Sequence, residues 1–204
     1  MSNMFYGCGK VTTFNLSSFN TSKVTNMASM FWGNGSLKSL DLSNFDASNV
    51  TDMNNMFRDS KMSSLNISSF DTSKITNMQW MFHGCSNLTT LDVSKFNTSK
   101  VTDMQWMFRD CRKLNTIDFS SFDTSNVTKM NNMFMGCEGM KTLDLSKFDT
   151  SKITTMAQMF YNCPKLTTIG PVDTAEGWQT APTIYTNMFY KCTATPKPSW
   201  YTSE

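Results

Sequence analysis

Met30-Phe31-Trp32-Gly33-Asn34-Gly35-Ser36-Leu37-Lys38-Ser39-Leu40-Asp41-Leu42-Ser43-Asn44-Phe45-Asp46-Ala47-Ser48-Asn49-Val50-Thr51-Asp52-Met53-Asn54-Asn55 is one copy of a unit that fills most of the chain. Its leading Met-Phe recurs at Met4-Phe5, Met56-Phe57, Met81-Phe82, Met107-Phe108, Met133-Phe134, Met159-Phe160 and Met188-Phe189, in steps of 26, 26, 25, 26, 26, 26 and 29 residues. A fixed period of this size marks one supersecondary unit stacked many times, because a single unit cannot bury its own apolar face. Nine of its 26 positions are apolar, or small and buried, in nearly every copy; in this one they are Met30, Phe31, Asn34, Leu37, Leu40, Leu42, Phe45, Val50 and Met53. Stacking turns each of them into a column through the core.

Within the unit, Leu40-Asp41-Leu42-Ser43 alternates apolar and polar residues and reads as a short strand with both leucines inward. Leu65-Asn66-Ile67-Ser68, Leu91-Asp92-Val93-Ser94, Ile117-Asp118-Phe119-Ser120 and Leu143-Asp144-Leu145-Ser146 repeat it, which predicts one continuous parallel sheet. In the other half Met53, Met56 and Phe57 stand at i, i+3 and i+4, the spacing of a helical face. Thr51-Asp52 before them suits an N-cap. Gly7, Gly33, Asp59, Gly84, Asp110, Gly136 and Asn162, two past each Phe, suit a left-handed stop. The expected fold is therefore an α/β repeat solenoid, leucine-rich-repeat-like, with one parallel β-sheet on one face and short helical turns on the other. Residues 1–169 are expected to form six to seven stacked repeats. The pattern breaks at Gly170-Pro171, and residues 170–204, with four prolines and two tryptophans, are expected to form an atypical last repeat and a C-terminal cap.

Composition narrows the function. The chain has 204 residues, 39% of them hydrophobic, with 18 basic and 16 acidic residues giving a net charge of +2. No clustered basic stripe exists, which argues against nucleic acid and against an anionic membrane surface. No apolar run is long enough to insert into a membrane, and no charged and apolar leader opens the chain. These features fit a cytoplasmic protein, or a segment of a longer surface or virion chain. All six cysteines fall in one slot of the unit, with Asn34 and Ser60 filling it elsewhere. Cys8 would have to reach across three rungs, roughly 14 Å at strand spacing, to join the next cysteine, too far for a disulfide. The slot reads as a column of buried thiols, and one column offers no metal cage. No metal and no cofactor is implied.

The spacing Leu37-x-x-Leu40-x-Leu42-x-x-Phe45 is that of a leucine-rich-repeat strand. The longer pattern Leu-x-x-Leu-Asp-Leu-Ser-x-Phe-Asp-Thr-Ser-x-Val-Thr-x-Met-x-x-Met-Phe-x-x-Cys resembles the BspA-like leucine-rich repeats of mycoplasma lipoproteins, Gram-positive surface proteins and some phage virion proteins. The resemblance spans residues 4 to about 169. It implies a surface-exposed binding or adhesion module without a catalytic centre, and brings no active-site residues with it.

Candidate site residues come from positions that vary between copies, since scaffold positions repeat. They lie on the expected helix face: Trp32, Arg58, Trp80, His83, Trp106, Arg109 and Tyr161. Clustered Trp and Arg are enriched at interface hot spots. His83 is the single histidine, so a conventional catalytic triad has no second route, and an enzyme is not expected. The rival surface is the strand face, where Asp41, Asp92, Asp118 and Asp144 form a column suited to a repetitive ligand such as a glycan. The expected function is a non-enzymatic recognition or adhesion module for a protein or glycan. The alternatives are an intracellular, phage- or mobile-element-encoded protein that inhibits a host protein, and a structural spacer that self-associates through its uncapped N-terminal repeat.

Overall fold

Identical apolar side chains one unit apart are all buried only if the units lie in register on one another, and this is the arrangement in the computed structural model, which describes residues 1–170, 178 and 181–202. The rings of Phe5, Phe31, Phe57, Phe82, Phe108, Phe134, Phe160 and Phe189 follow one another at centroid separations of 5.1 to 6.0 Å, none tilted more than 20° from its neighbour. Around this column run buried columns of Met27, Met53, Met78, Met104, Met130 and Met156, and of Met30, Met56, Met81, Met107, Met133 and Met159, all fully buried. We number the rungs 1 to 8 by their Met-Phe pairs.

The expected helices do not form. Among the described residues there is no helix, because the residue before each Met-Phe has a positive φ: Ser29 57°, Asn55 55°, Trp80 61°, Trp106 58°, Asn132 59° and Gln158 57°. A helix needs φ near about −63° throughout. The amides are directed elsewhere as well. Those of Met27, Ser29, Phe31 and Gly33 donate to the carbonyls of Asp52, Asn54, Met56 and Arg58 on the next rung, at 2.8 to 3.0 Å, instead of to the fourth residue back. The intervening amides close tight turns, Met30 to the Met27 carbonyl and Trp32 to that of Ser29, both at 3.2 Å. A two-turn helix is marginal in water, whereas the turn arm gains a bond to its neighbour at every second residue. Met27, Met30 and Phe31 face inward all the same. The i, i+3, i+4 spacing reported which side chains are buried and misreported the backbone.

The continuous sheet is also absent. Among the described residues there are four strands of three residues, β1 (Ser39–Asp41), β2 (Ser64–Asn66), β3 (Thr142–Asp144) and β4 (Thr168–Gly170), paired in parallel as β1 with β2 and β3 with β4. The pairings set Asp41 beside Asn66 and Asp144 beside Gly170. Between them, at Leu91-Asp92-Val93 and Ile117-Asp118-Phe119, no strand forms. There Asp92, Asp118 and Asp144 follow on adjoining rungs, and like charges directly opposite one another weaken a strand pair. The ladder that does run almost the whole length is one residue wide: parallel bridges join Asn26, Asp52, Asn77, Asp103, Lys129, Thr155 and Ile184 in turn. The α/β solenoid with helices on one face and one sheet on the other is thus replaced by a stack of turns and extended corners with two short sheets.

Two polar columns tie the rungs together from inside. Cys85, Cys111, Cys137 and Cys163 donate their S–H groups to the carbonyls of Phe57, Phe82, Phe108 and Phe134 one rung earlier, at 3.0 to 3.1 Å. Asn34 and Ser60 donate to the carbonyls of Phe5 and Phe31 from the same slot, so its requirement is a small buried donor. Burial pushes the Cys85 and Cys163 thiols up to about 12, which keeps the donated proton in place. All six cysteines are free. In the second column the hydroxyl of Thr98 donates to the Asp123 carbonyl at 2.8 Å and accepts from the Asp123 amide at 2.9 Å. Thr21 and Thr72 make the same two-way link to Asp46 and Asn97. Ala47, buried in the same column, makes none.

Of the segment expected to cap the far end, residues 171–177, 179, 180, 203 and 204 lie outside the described residues. Trp178 is fully buried with its ring 6.4 Å from Phe160 and 6.4 Å from Trp200, and Tyr201 meets Phe189 edge-on at 4.9 Å.

Two substitutions test the threonine column in opposite directions. Thr98→Ala strands the Asp123 peptide and lowers unfolding stability by about 1–3 kcal/mol, while Ala47→Thr completes the column and raises it by about 1 kcal/mol, both read by urea denaturation. Equal stabilities for Ala47→Thr and wild type would remove the column from the account.

Candidate functional site

Every rung carries two residues with left-handed backbone in the turn arm, one before Met-Phe and one two past Phe. The first slot holds Asn3, Ser29, Asn55, Asn132, Gln158 and Asn187 on six rungs, small or amide side chains of the kind that tolerate the conformation. Rungs 4 and 5 place Trp80 and Trp106 there. Large aromatic residues at positive φ carry a strain of about 1–3 kcal/mol each, and such outliers collect at functional positions.

The two indoles stack on each other at 4.4 Å and 16°. The guanidinium of Arg58 lies over the other face of Trp80, 4.4 Å from its centroid, and over Trp32 at 4.5 Å. Trp32 in turn receives Tyr6 edge-on at 5.1 Å, and His83 meets Trp80 edge-on at 5.0 Å. The result is a column, Trp32, Arg58, Trp80, Trp106, half-buried along its length and crossing rungs 2 to 5. Cation-π contacts at partly exposed sites contribute on the order of 0.5–1 kcal/mol each, enough to hold the guanidinium between the rings.

Carboxylates fix the arginines from behind. Arg58 Nε lies 3.4 Å from Asp59 Oδ2, too poorly aligned for a hydrogen bond, while its Nη1 donates to Asn55 Oδ1 at 3.2 Å. Arg109 Nε lies 3.3 Å from Asp110 Oδ2, and the chain of charge runs on through Arg112 to Glu138, at 3.8 Å per step. Gly84 and Gly136 make this geometry fit: a Cβ at either would collide with the carboxylate of Asp59 or Asp110 from the previous rung, and both have positive φ. His83 is the most enclosed member. Its Nδ1 is buried without a hydrogen-bond partner and its Nε2 is 4.0 Å from Asp59 Oδ1. Burial depresses its pKa against the opposing pull of Asp59, with Arg58, Asp110 and Arg109 as the other charges it faces.

Six of the seven turn-arm candidates, Trp32, Arg58, Trp80, His83, Trp106 and Arg109, therefore fall on one contiguous patch. Tyr161 does not join it; it stacks on Tyr190 at 4.9 Å, further along the arm. The sequence marks Asp59 and Asp110 as left-handed stops, which their φ of 56° and 57° bears out, but not as partners of the arginines, nor Asn55 as an acceptor, although Arg58-Asp59 and Arg109-Asp110 share one register two rungs apart. On the strand face each of Asp41, Asp92, Asp118 and Asp144 uses Oδ1 to accept the amide of Ser43, Ser94, Ser120 or Ser146 two residues on, at 2.9 to 3.0 Å. The Ser43 amide holds Asp41 below the usual carboxylate range, the Ser94 hydroxyl does so for Asp92, and the Ser120 amide for Asp118. These aspartates are corner residues first, closing a turn at each rung. Among the described residues no group of three or more His, Cys, Asp or Glu is placed to hold a metal ion.

Over residues 1–116 and 76–200 the chain matches the model of a family described as Mycoplasma protein of unknown function, DUF285. No curated protein and no solved structure matches it.

The enclosure of His83 has a consequence for acid stability. Its folded pKa lies below the unfolded value of about 6.5, so the unfolded chain takes up the proton first and stability falls as pH drops through that value. Thermal melting is expected to drop between about pH 7.5 and about pH 5.5 in the wild type and to flatten in His83→Gln. Equal slopes for the two proteins would contradict the burial of this imidazole.

Proposed function

We propose that this chain, which belongs to the DUF285 family, is a non-enzymatic recognition module that grips a protein or glycan on a surface through the Trp32, Arg58, Trp80, Trp106 patch. The observation that carries this reading is the placement of Trp80 and Trp106 in left-handed positions that asparagine, serine or glutamine fill on the other rungs. The strain is not offset by burial in the core, since both indoles stay half-exposed. The indole stack and the cation-π contact offset part of the strain, and a binding surface gains in addition two rigid aromatic side chains with few rotatable bonds, prepositioned beside a guanidinium.

The resemblance to BspA-like leucine-rich repeats supports the same reading, with a bacterial surface or a phage particle as its setting. With a single histidine in the chain and a resemblance that implies no catalytic centre, no catalysis is proposed. Nor is a nucleic-acid partner, for want of a basic stripe.

The natural sequence provides the substitution that separates binding from folding. Asn55 and Asn132 already occupy the Trp80 slot on neighbouring rungs, so Trp80→Asn with Trp106→Asn keeps the fold and raises its melting temperature. Binding to arrays of host surface proteins and of glycans is expected to fall at least about tenfold in the double variant, the loss of one hot-spot side chain or more. Unchanged capture by the double variant, or a wild-type chain that captures nothing from either array, would refute the proposal.

A further inference from the structure

Four large apolar side chains stand exposed among the described residues: Met4 at 49%, Tyr6 at 53%, Ile184 at 51% and Tyr190 at 48%. All four lie on rungs 1 and 8, and none on the six rungs between them. Tyr6 and Tyr190 occupy the same position of the unit, directly after the Phe of Met-Phe.

The backbone at the two ends is complementary. Along the turn arm each rung accepts from the rung before it and donates to the rung after it. Thus Asn3, Phe5 and Gly7 donate to the carbonyls of Ala28, Met30 and Trp32 at 3.0, 2.9 and 2.8 Å, and Gln158, Phe160 and Asn162 donate to those of Thr186, Met188 and Tyr190 at 3.0, 2.9 and 2.9 Å. On rung 1 the matching carbonyls, Ser2, Met4 and Tyr6, accept no hydrogen bond among the described residues. On rung 8 the matching amides, Asn187, Phe189 and Lys191, donate none among the described residues. Among the described residues, rung 1 thus presents a row of unbonded acceptors and rung 8 a row of unbonded donors, in the same register.

We propose that two copies of this chain join head to tail, the rung 8 turn arm of one donating to the rung 1 turn arm of the next. The step between copies is the step within a copy. Tyr190, which already stacks on Tyr161 at 4.9 Å, then covers Tyr6 of the second copy, and Lys191 falls over Gly7, where nothing lies within 4 Å of an added Cβ. A contact of two rung 1 edges would set carbonyl against carbonyl, so the isologous alternative is disfavoured. The contact is confined to the turn arm, because Tyr201 and Lys197 already cover the Phe189 ring, at 4.9 and 5.4 Å. A heterologous contact that does not close gives open chains of copies, with a repetitive display of whatever each copy carries. The contact touches the tryptophan patch only where Tyr6 meets Trp32; Arg58, Trp80 and Trp106 lie on rungs 3 to 5, away from both ends.

Sedimentation of the 204-residue chain, of Tyr6→Lys, of Tyr190→Lys and of their equimolar mixture tests it. Wild-type mass is expected to rise with concentration and each variant alone to stay monomeric. The mixture is expected to form a dimer that grows no further, since the intact Tyr190 end of one variant meets the intact Tyr6 end of the other. Each variant loses one aromatic contact, Tyr6 with Trp32 or Tyr190 with Tyr161, and a cooperative melt with the wild-type circular dichroism spectrum shows that its fold is intact. A wild-type chain that stays monomeric at every soluble concentration, a Tyr190→Lys chain that still dimerises alone, or a mixture that stays monomeric would each overturn the proposal.

Discussion

The hydrogen bonds from alternate amides of one turn arm to the carbonyls of the next are the constraint on which the rest of the molecule depends. They use donors that a helix would have kept for itself, and so they decide the backbone of half of every unit. Once Phe31 donates to Met56 and Phe57 to Met81, the residue before each Met-Phe turns left-handed, the methionines fall into two buried columns, and the Phe rings stack in near-parallel register. The buried donor slot of Cys, Ser and Asn, and the threonine links to the next rung, extend the same principle to side chains. Each satisfies a peptide group of a neighbouring rung that an isolated unit would leave bare.

That architecture separates positions that must repeat from positions free to vary. The core columns and the donor slot are fixed by contacts to the rungs on either side, and the Asp or Asn at each corner by the turn it closes with the amide two residues on. At the residue after each Phe and the residue before each Met the copies differ. Trp80 and Trp106 use this freedom at the expense of local backbone preference, and Arg58 fills the gap that they and Trp32 define. Asp59 and Asp110 keep the guanidinium groups from swinging out, and the glycines of the following rung give those carboxylates room. A rigid scaffold carrying a preordered patch is the arrangement from which a recognition surface loses least entropy on binding.

Much of this was legible in the chain. The Met-Phe register identifies the core columns, because burial depends only on which side chains face inward, and the i, i+3, i+4 spacing encodes that. It does not encode the backbone, since a pair of tight turns presents Met27, Met30 and Phe31 to the core as a helix would. Asn3, Asn55, Asn132 and Asn187 before Met-Phe, in a slot shared by Ser29 and Gln158, were the available sign of a left-handed position, and the two tryptophans in that slot obscured it. The alternation of Leu40-Asp41-Leu42 correctly gives the inward residues, yet strand pairing also depends on what the outward residues meet. Asp92, Asp118 and Asp144 on adjoining rungs show why a repeated motif need not give a repeated sheet. The clustering of Trp32, Arg58, Trp80 and Trp106 follows from their register, whereas Tyr161 falls away from them because Met135 separates it from Arg109 along the arm.

The turn arm is bonded between rungs and not within a helix. Scalar couplings across hydrogen bonds, measured by NMR on deuterated protein, test it residue by residue. A coupling between the Phe57 amide nitrogen and the Met81 carbonyl carbon, with its counterpart from Phe82 to Met107, is the result this account requires. A coupling from Phe57 to Met53, four residues back, would show a helix there and contradict it.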